Sequence, residues 1–272
     1  MNKLLRQYWP FTVAGVQSTL MYSVNILFFS LSEVLYCFVM FYLWQAVFAA
    51  SGGDSFMGFD MNDMVVYLFM SNATAYLTAS AADEMIADEI KDGSISMRLL
   101  KPVNFTASIL SMDLAGPMVM FFVVFLPMTA GVEIYRGVQC GCVMFDPLHF
   151  SLYLVSALIA YLLSFYQNMC FGFLAFYVTN LWGMGILKKI LLKFLSGAVI
   201  PLAFMPPVLR EVLRLLPFSS LSYTPVMLYM GKLSLQESLI SFGLQAFWLV
   251  AFILFCRLIW KCAIRRLSVQ GG

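Results

Sequence analysis

The stretch from Asp83 to Pro102 reads DEMIADEIKDGSISMRLLKP, and it stands between two long apolar runs. It carries Asp83, Glu84, Asp88, Glu89, Lys91, Asp92, Arg98 and Lys101, eight of the 30 formal charges of a 272-residue chain. The rest of the chain is poor in charge: 11% of all residues are charged and 62% are hydrophobic, with a mean hydropathy of +0.87. Ordinary soluble domains carry roughly 25% charged residues, so this chain lacks the polar surface to cover a water-soluble fold. The composition predicts an all-α polytopic membrane protein.

Outward from the island, runs of roughly 20 mostly apolar residues mark membrane-crossing helices. Six are expected, at about Ser23–Ala50, Met64–Ala82, Phe105–Ala130, Leu148–Val178, Ile190–Met205 and Leu239–Trp260. The fourth is too long for one upright helix and must tilt, break or extend beyond the bilayer. Residues 1–22 mix Lys3, Arg6, Gln7 and Gln17 with Leu4, Leu5, Trp9 and Phe11, the pattern of an interfacial helix. No small-residue cleavage site follows a short apolar core there, so the first span is expected to act as its own signal anchor. Residues 23–272 then form one six-helix transmembrane domain.

Basic residues set orientation, because loops retained in the cytoplasm are enriched in Lys and Arg. With the N-terminus inside, twelve basic residues fall on the cytoplasmic side. Only Arg136, Arg210, Arg214 and Lys232 fall outside. Both termini are expected in the cytoplasm, and so is the island.

Within residues 83–102, Asp83 and Glu84 suit a helix N-terminus and Lys91 its last turn. Gly93 is the expected helix stop, since glycine adopts the left-handed backbone readily. Ala82, Ile86 and Ile90 share one face, so the helix is amphipathic. A second short element, Ser94 to Leu100 and including Arg98, leads to Pro102, where the chain turns into the third span. A loop that merely links two spans needs neither an apolar stripe nor a glycine stop. The pattern points to an interaction element. Residues 206–223 form the other unusual segment, opening on a proline-bracketed stretch with Pro206 before it and Pro217 after it. It holds about ten residues with basic and apolar positions at helical spacing, too short to cross a bilayer. It fits a half-buried helix dipping in from the outer face or an amphipathic surface helix.

Chemistry-bearing motifs are scarce. No G-x-x-x-x-G-K-[ST] phosphate loop occurs; Gly231-Lys232 is followed by Leu233 and lacks the upstream glycine. No catalytic residue and no metal site are expected, and no basic run suggests nucleic acid. The six cysteines lie mostly within apolar runs, except Cys140 and Cys142, which share a loop seven residues before the only histidine, His149. Two carboxylates fall inside expected spans, Glu33 and Asp113. An ionised group in the bilayer costs about 2.5–3.5 kcal/mol on insertion scales, so each must face protein or water. Both fit either the lining of a translocation path or a hydrogen-bonded structural anchor.

Three groups of residues carry a resemblance. Glu89-Ile90-Lys91-Asp92-Gly93-Ser94-Ile95 with Leu99-Leu100-Lys101-Pro102 follows the second span. Leu195-Ser196-Gly197-Ala198-Val199-Ile200-Pro201-Leu202 runs on to Met205-Pro206. Leu216-Pro217-Phe218, Tyr223-Thr224-Pro225 and Tyr229-Met230-Gly231-Lys232 precede the last span. In order and spacing these resemble the ABC-2 family of ATP-binding-cassette transporter permeases over nearly the whole chain. The resemblance implies six helices after an interfacial connecting helix, a coupling helix within 83–102 and re-entrant helices within 206–223. It implies that Ile86, Glu89, Ile90, Gly93, Arg98, Leu100 and Pro102 couple to a separate ABC ATPase subunit, present in two copies, which binds ATP and Mg. It also implies a second permease, identical or homologous, and residence in a bacterial cytoplasmic membrane. The expected function is ATP-driven export of an amphipathic or hydrophobic substrate: a drug, peptide or lipid. The chief rival is an ion- or proton-coupled secondary transporter using Glu33 and Asp113, against which stands the lack of a visible inverted repeat. A non-transporting membrane scaffold is the third.

Overall fold

A computed structural model describes residues 3–51, 55–140, 145–178 and 180–266. Cys142 lies outside the described residues, so its relation to Cys140 does too. Among the described residues the fold is all-α apart from a hairpin of two-residue strands, Ser55–Phe56 with Phe59–Asp60. Helix α1 (Lys3–Met21) runs into α2 (Ser23–Ser51). After the hairpin, Asp60 caps α3 (Met61–Leu77) through a reciprocal capping box with Asp63. The island forms α4 (Ala82–Lys91) and α5 (Ile95–Leu99).

A long helical column follows: α6 (Phe105–Asp113), α7 (Ala115–Met120), a π-helical turn at Phe121–Phe125, and α8 (Leu126–Cys140). Its irregularities sit beside prolines that cannot donate to the preceding turn, Pro117 and Pro127. Next come α9 (Pro147–Gly172), which tightens to a 3-10 turn at Phe173–Phe176, and α10 (Trp182–Leu195). Short elements α11 (Pro207–Leu215) and α12 (Tyr223–Tyr229) precede α13 (Leu235–Ala263).

Among the described residues, four stretches are long and apolar enough to cross a bilayer: Val24–Ala50, Phe105–Gln139, Pro147–Phe176 and Leu235–Ala263. They correspond to the expected first, third, fourth and sixth spans, and the third runs nine residues further than the sequence pattern predicts. The other two expected spans differ. Helix α3 has 17 residues and stops at Thr78, well before Ala82, giving a rod of about 26 Å at 1.5 Å per residue. Helix α10 has 14 residues and ends at Leu195, so its helical part lies largely N-terminal of the expected Ile190–Met205. The shift has two causes. Lys188 and Lys189 lie inside the helix because they pair with Asp83 and Glu84 instead of marking a solvent boundary. Gly197 then takes a left-handed backbone (φ 79°) and Pro201 follows, which ends the helix.

The bundle has two ends. At one lie α4, α5, the start of α10 and the last turns of α9 and α13. At the other, Lys232 donates to Asp63 (2.6 Å) and to the Gly58 carbonyl (2.9 Å). There Asp146 Oδ2 also accepts from His149 Nδ1 (2.6 Å), and the His149 ring packs against Gly231. Two apolar cores divide the same way. One gathers Trp44, Tyr67, Met70, Phe125, Tyr153, Leu202 and Val226 around α3. The other gathers Ile86, Ile109, Phe165, Met169, Phe173 and Cys256 beneath the island.

Candidate functional site

Ile86 is fully buried and Ile90 packs against the same lower core, so the apolar stripe of α4 faces inward, against α9. The stripe is therefore a seat within the chain and not a face open to a partner. An amphipathic helix buries its apolar side on the nearest apolar surface, and α9 supplies one in its own chain. Gly172 makes the approach close: a Cβ there would stand 2.9 Å from Asp83 Cα and 3.1 Å from Ile86 Cβ.

Polar clamps hold the two island helices. Arg98 Nε donates to both Glu89 oxygens (2.8 and 2.7 Å) while its Nη2 also contacts Glu89, and Nη1 reaches Ser108 on α6 (3.2 Å). Glu89 and Arg98 thus tie α4, α5 and α6 into one unit, and both side chains are mostly shielded from solvent. Charge-assisted bidentate pairs of this kind fix geometry as well as contributing energy. Asp83 is buried and pairs with Lys188, which also donates to Asn168 Oδ1 (2.7 Å); Asn168 Nδ2 in turn donates to the Ser80 carbonyl (2.9 Å). Glu84 and Lys189 form a parallel pair at 2.5 Å, each 61% exposed.

Gly93 stops α4 in the left-handed conformation (φ 79°), as its position predicts. Beside it the Ser94 amide donates to Asp92 Oδ1 (2.8 Å), and the Ser94 hydrogen bonds hold the Asp92 carboxyl below its ordinary pKa. Leu100 and Met97 are exposed (81% and 67%). Pro102 is exposed, and its carbonyl accepts from Gln7 Nε2 of α1 (3.2 Å). The next anchor is the Asn104 amide, which donates to Tyr8 Oη (3.1 Å). From there α1 runs alongside α6 in the same direction, and Gly15 meets the Met112 carbonyl closely enough that a Cβ would stand 2.6 Å away.

Asp113 belongs to this site. Its Oδ1 accepts from the Ala81 amide (2.7 Å), which caps the chain at the entry to α4, and its Oδ2 accepts from Tyr161 Oη (2.8 Å). Both oxygens are engaged in holding the α3–α4 turn to α6 and α9. Glu33 lies elsewhere, on the seam of α2 with α3. It is hydrogen-bonded with Tyr76, and its Oε2 is buried with no hydrogen-bond partner among the described residues. Asn72 donates to Cys37 Sγ one turn along (3.1 Å), and Lys193 of α10 lies over the Tyr36 ring at 4.5 Å. Ser32, next to Glu33 in the chain, donates to the Phe28 carbonyl (2.9 Å).

The proline-marked segment forms a second constellation. Pro201 and Pro217 are buried, and Pro206 is exposed just before α11. Between them, Phe204 reaches the far end of the bundle, 5.2 Å from Trp44 and 5.4 Å from Phe59 by ring centroids. The chain then returns to the interior. Ser222 meets Ser71 of α3 (3.0 Å), and Gln245 of α13 donates to the Ser220 carbonyl (3.1 Å) and to Ser156 Oγ of α9 (2.9 Å). The non-helical carbonyls of Gly197 and Ala198 accept from Tyr67 Oη (2.7 Å) and Ser71 Oγ (3.1 Å). Irregular backbone at membrane depth persists only where protein groups satisfy it in this way.

Sequence reasoning missed Lys188, Asn168, Gly172, Ser108, Tyr161 and Tyr8. One signal was available: the Lys188-Lys189 doublet matches the Asp83-Glu84 doublet in spacing and opposite charge.

Apolar helices long enough to cross a bilayer, with a charged element clamped across one end, define a multi-pass membrane protein. The chain belongs to the ABC-2 family: the family described as ABC-2 family transporter protein matches residues 34–271, most of its length. It is a permease of an ABC transporter. No match was found among curated individual proteins.

Proposed function

We propose that this permease is the membrane half of an ATP-driven exporter, and that the α4–α5 island receives the motion of a separate ABC ATPase. One observation carries this. The island is tied to α6, α9 and α10 by Glu89–Arg98–Ser108, Asp83–Lys188 and the Asp113 cap, while Glu84, Asp88, Lys91, Met97, Leu100 and Pro102 stay exposed. A push on the exposed side moves the ends of three long elements together, since packed helices shift as units. Ile86, Ile90, Glu89 and Arg98 then work from within, as the seat and clamp that transmit load. Gly93 sets the angle between α4 and α5, and Leu100 with Pro102 meets the partner.

The bias of basic residues toward the island end supports a cytoplasmic island, both termini inside and residence in a bacterial cytoplasmic membrane. In that orientation the 206–223 segment dips in from the outer face and returns, which fits its hydrogen bonds to α3 and α13. Two ATPase copies, ATP and Mg on those copies, and a second permease, identical or homologous, complete the assembly. The substrate is an amphipathic or hydrophobic drug, peptide or lipid, and this chain contributes no catalytic residue. The engagement of both Asp113 oxygens favours an anchoring role there over that of an ion carrier.

The test is co-purification with the ATPase together with coupled export. Leu100→Asp or Gly93→Pro is expected to lower ATPase retention and export several-fold at unchanged membrane insertion. Export at the unsubstituted rate in both variants, or export by the isolated permease driven by a proton gradient, would sink the proposal.

A further inference from the structure

A cleft at the island end lies between the start of α6 and the end of α13. It has a volume of about 240 Å3, well above what a single water needs, and Asn104, Thr106, Tyr166, Arg257 and Trp260 are among its lining residues. Trp260 closes one wall, stacked on Phe105 with ring centroids 4.5 Å apart, and Phe173 lies 5.1 Å from it. Arg257 is exposed, and Lys261 and Arg265 follow at successive helical turns, both exposed. None of the three has an acidic partner within 4.0 Å among the described residues, although this end is rich in carboxylates. The exposed acids Glu84 and Asp88 line a different groove, with Phe171 and Trp182.

Two features say what the cleft takes. An unpaired guanidinium together with hydroxyl and amide donors, at the first turn of a helix with spare amides, recognises a phosphate. Directly along α13 the surface turns apolar, with Phe247, Val250, Leu254 and Leu258 all exposed. A phosphate seated at Arg257 with acyl chains running along that surface is a phospholipid; a free anion would leave it uncovered. Trp260 and Tyr166 supply the aromatic groups that favour the headgroup level of a membrane.

We propose that this cleft binds the headgroup of an anionic phospholipid, with Arg257 on the phosphate and Lys261 and Arg265 extending the attraction along the stripe. The lipid bridges α6, which carries the Arg98–Ser108 clamp, to α13, so it braces the lower core from outside.

The experiment is lipid retention by the purified permease, exchanged into nanodiscs of phosphatidylcholine with a minor fraction of phosphatidylglycerol and read by native mass spectrometry. Phosphatidylglycerol is expected to be retained selectively. Arg257→Gln is expected to lower that retention about five-fold, as for one juxtamembrane cation, and the triple change with Lys261→Gln and Arg265→Gln further. Arg257→Lys, which keeps the charge, retains most of it and controls for misfolding. Ala107→Leu fills the cleft with every charge in place and is expected to lower retention too. Equal retention of the two lipids, or no change in Arg257→Gln, overturns the proposal. So does retention unaffected by Ala107→Leu, which would leave a surface stripe without a cleft. Displacement of the lipid by millimolar inorganic phosphate would assign the site to a free anion. Loss of the ATPase subunit from the triple variant, with lipid retention unchanged, would assign the stripe to a protein.

Discussion

The island at one end and the reversing segment between α10 and α13 are both built from short helices wedged among long ones, yet they are held by opposite chemistry. The island is gripped by charge: Glu89 by Arg98, Asp83 by Lys188, Glu84 by Lys189, with Asp113 capping its entry. The reversing segment is held in its interior by neutral groups: Tyr67, Ser71, Ser222, Gln245 and Ser156. The difference follows from surroundings. At the island each acid has a basic partner that offsets the cost of its shielding; deep in the bundle a lone charge would be expensive, so hydroxyls and amides satisfy the backbone instead. A segment locked by paired charges to α6 and α10 moves with them as one body. One joined by neutral bonds to α3 and α13 is anchored in the bundle interior.

The largest effect expected lies at the seat of the island. In Gly172→Leu the new side chain meets backbone at Asp83, so α4 must lift away from α9, at about 3 kcal/mol or more. Thermal unfolding in detergent reads the loss, and an unchanged midpoint would mean that α4 is not seated there. Asp113→Ala removes the acceptor for Ala81 and Tyr161, for about 2–3 kcal/mol; Tyr161→Phe should lose less, since the cap survives. Equal losses in the two variants would put the Tyr161 bond ahead of the cap.

Glu89→Lys should lower stability by about 2 kcal/mol and coupled export with it, and the exchange Glu89→Arg with Arg98→Glu should recover part of both. Absence of any recovery would show that Glu89 acts by direct contact with a partner. In the reversing segment, Gln245→Leu leaves Ser156 and the Ser220 carbonyl short of partners, for about 1 kcal/mol on the scale measured for interhelical bonds in membranes. A loss as large as at Glu89 would erase the proposed contrast between the two regions. Smallest of all is Lys189→Ala: its pair with Glu84 is mostly exposed, and such pairs contribute about 0–1 kcal/mol. A clear export defect there at unchanged stability would place Lys189 in the partner interface.

Much of the island was legible from local pattern. The acidic first turn, the apolar stripe and the glycine stop are read within one or two helical turns, and the structure shows a helix ending where Gly93 says it should. The long apolar helices are legible for the same reason. The direction of the stripe was not, because facing α9 depends on Gly172, some 80 residues away, leaving room for backbone approach. The start of α10 was misplaced because a hydropathy window treats Lys188 as a boundary, whereas Asp83 neutralises it across 105 residues. The two partners of Asp113, from the α3–α4 turn and α9, lie 32 and 48 residues away and left no local pattern to read.

The π-helical turn at Phe121–Phe125 has a consequence for everything beyond it. There the Leu126 amide bonds back to Phe121, five residues earlier, so one extra residue is taken up in the turn. Each helical residue advances the azimuth by about 100°. Glu133 and Arg136 point where they do, with Glu133 meeting the Tyr229 hydroxyl of α12, only because that surplus residue has already swung α8 round. Deleting Val123 would restore regular winding and turn Glu133 and Arg136 aside, so the half of the column beyond it is aimed by a single inserted residue.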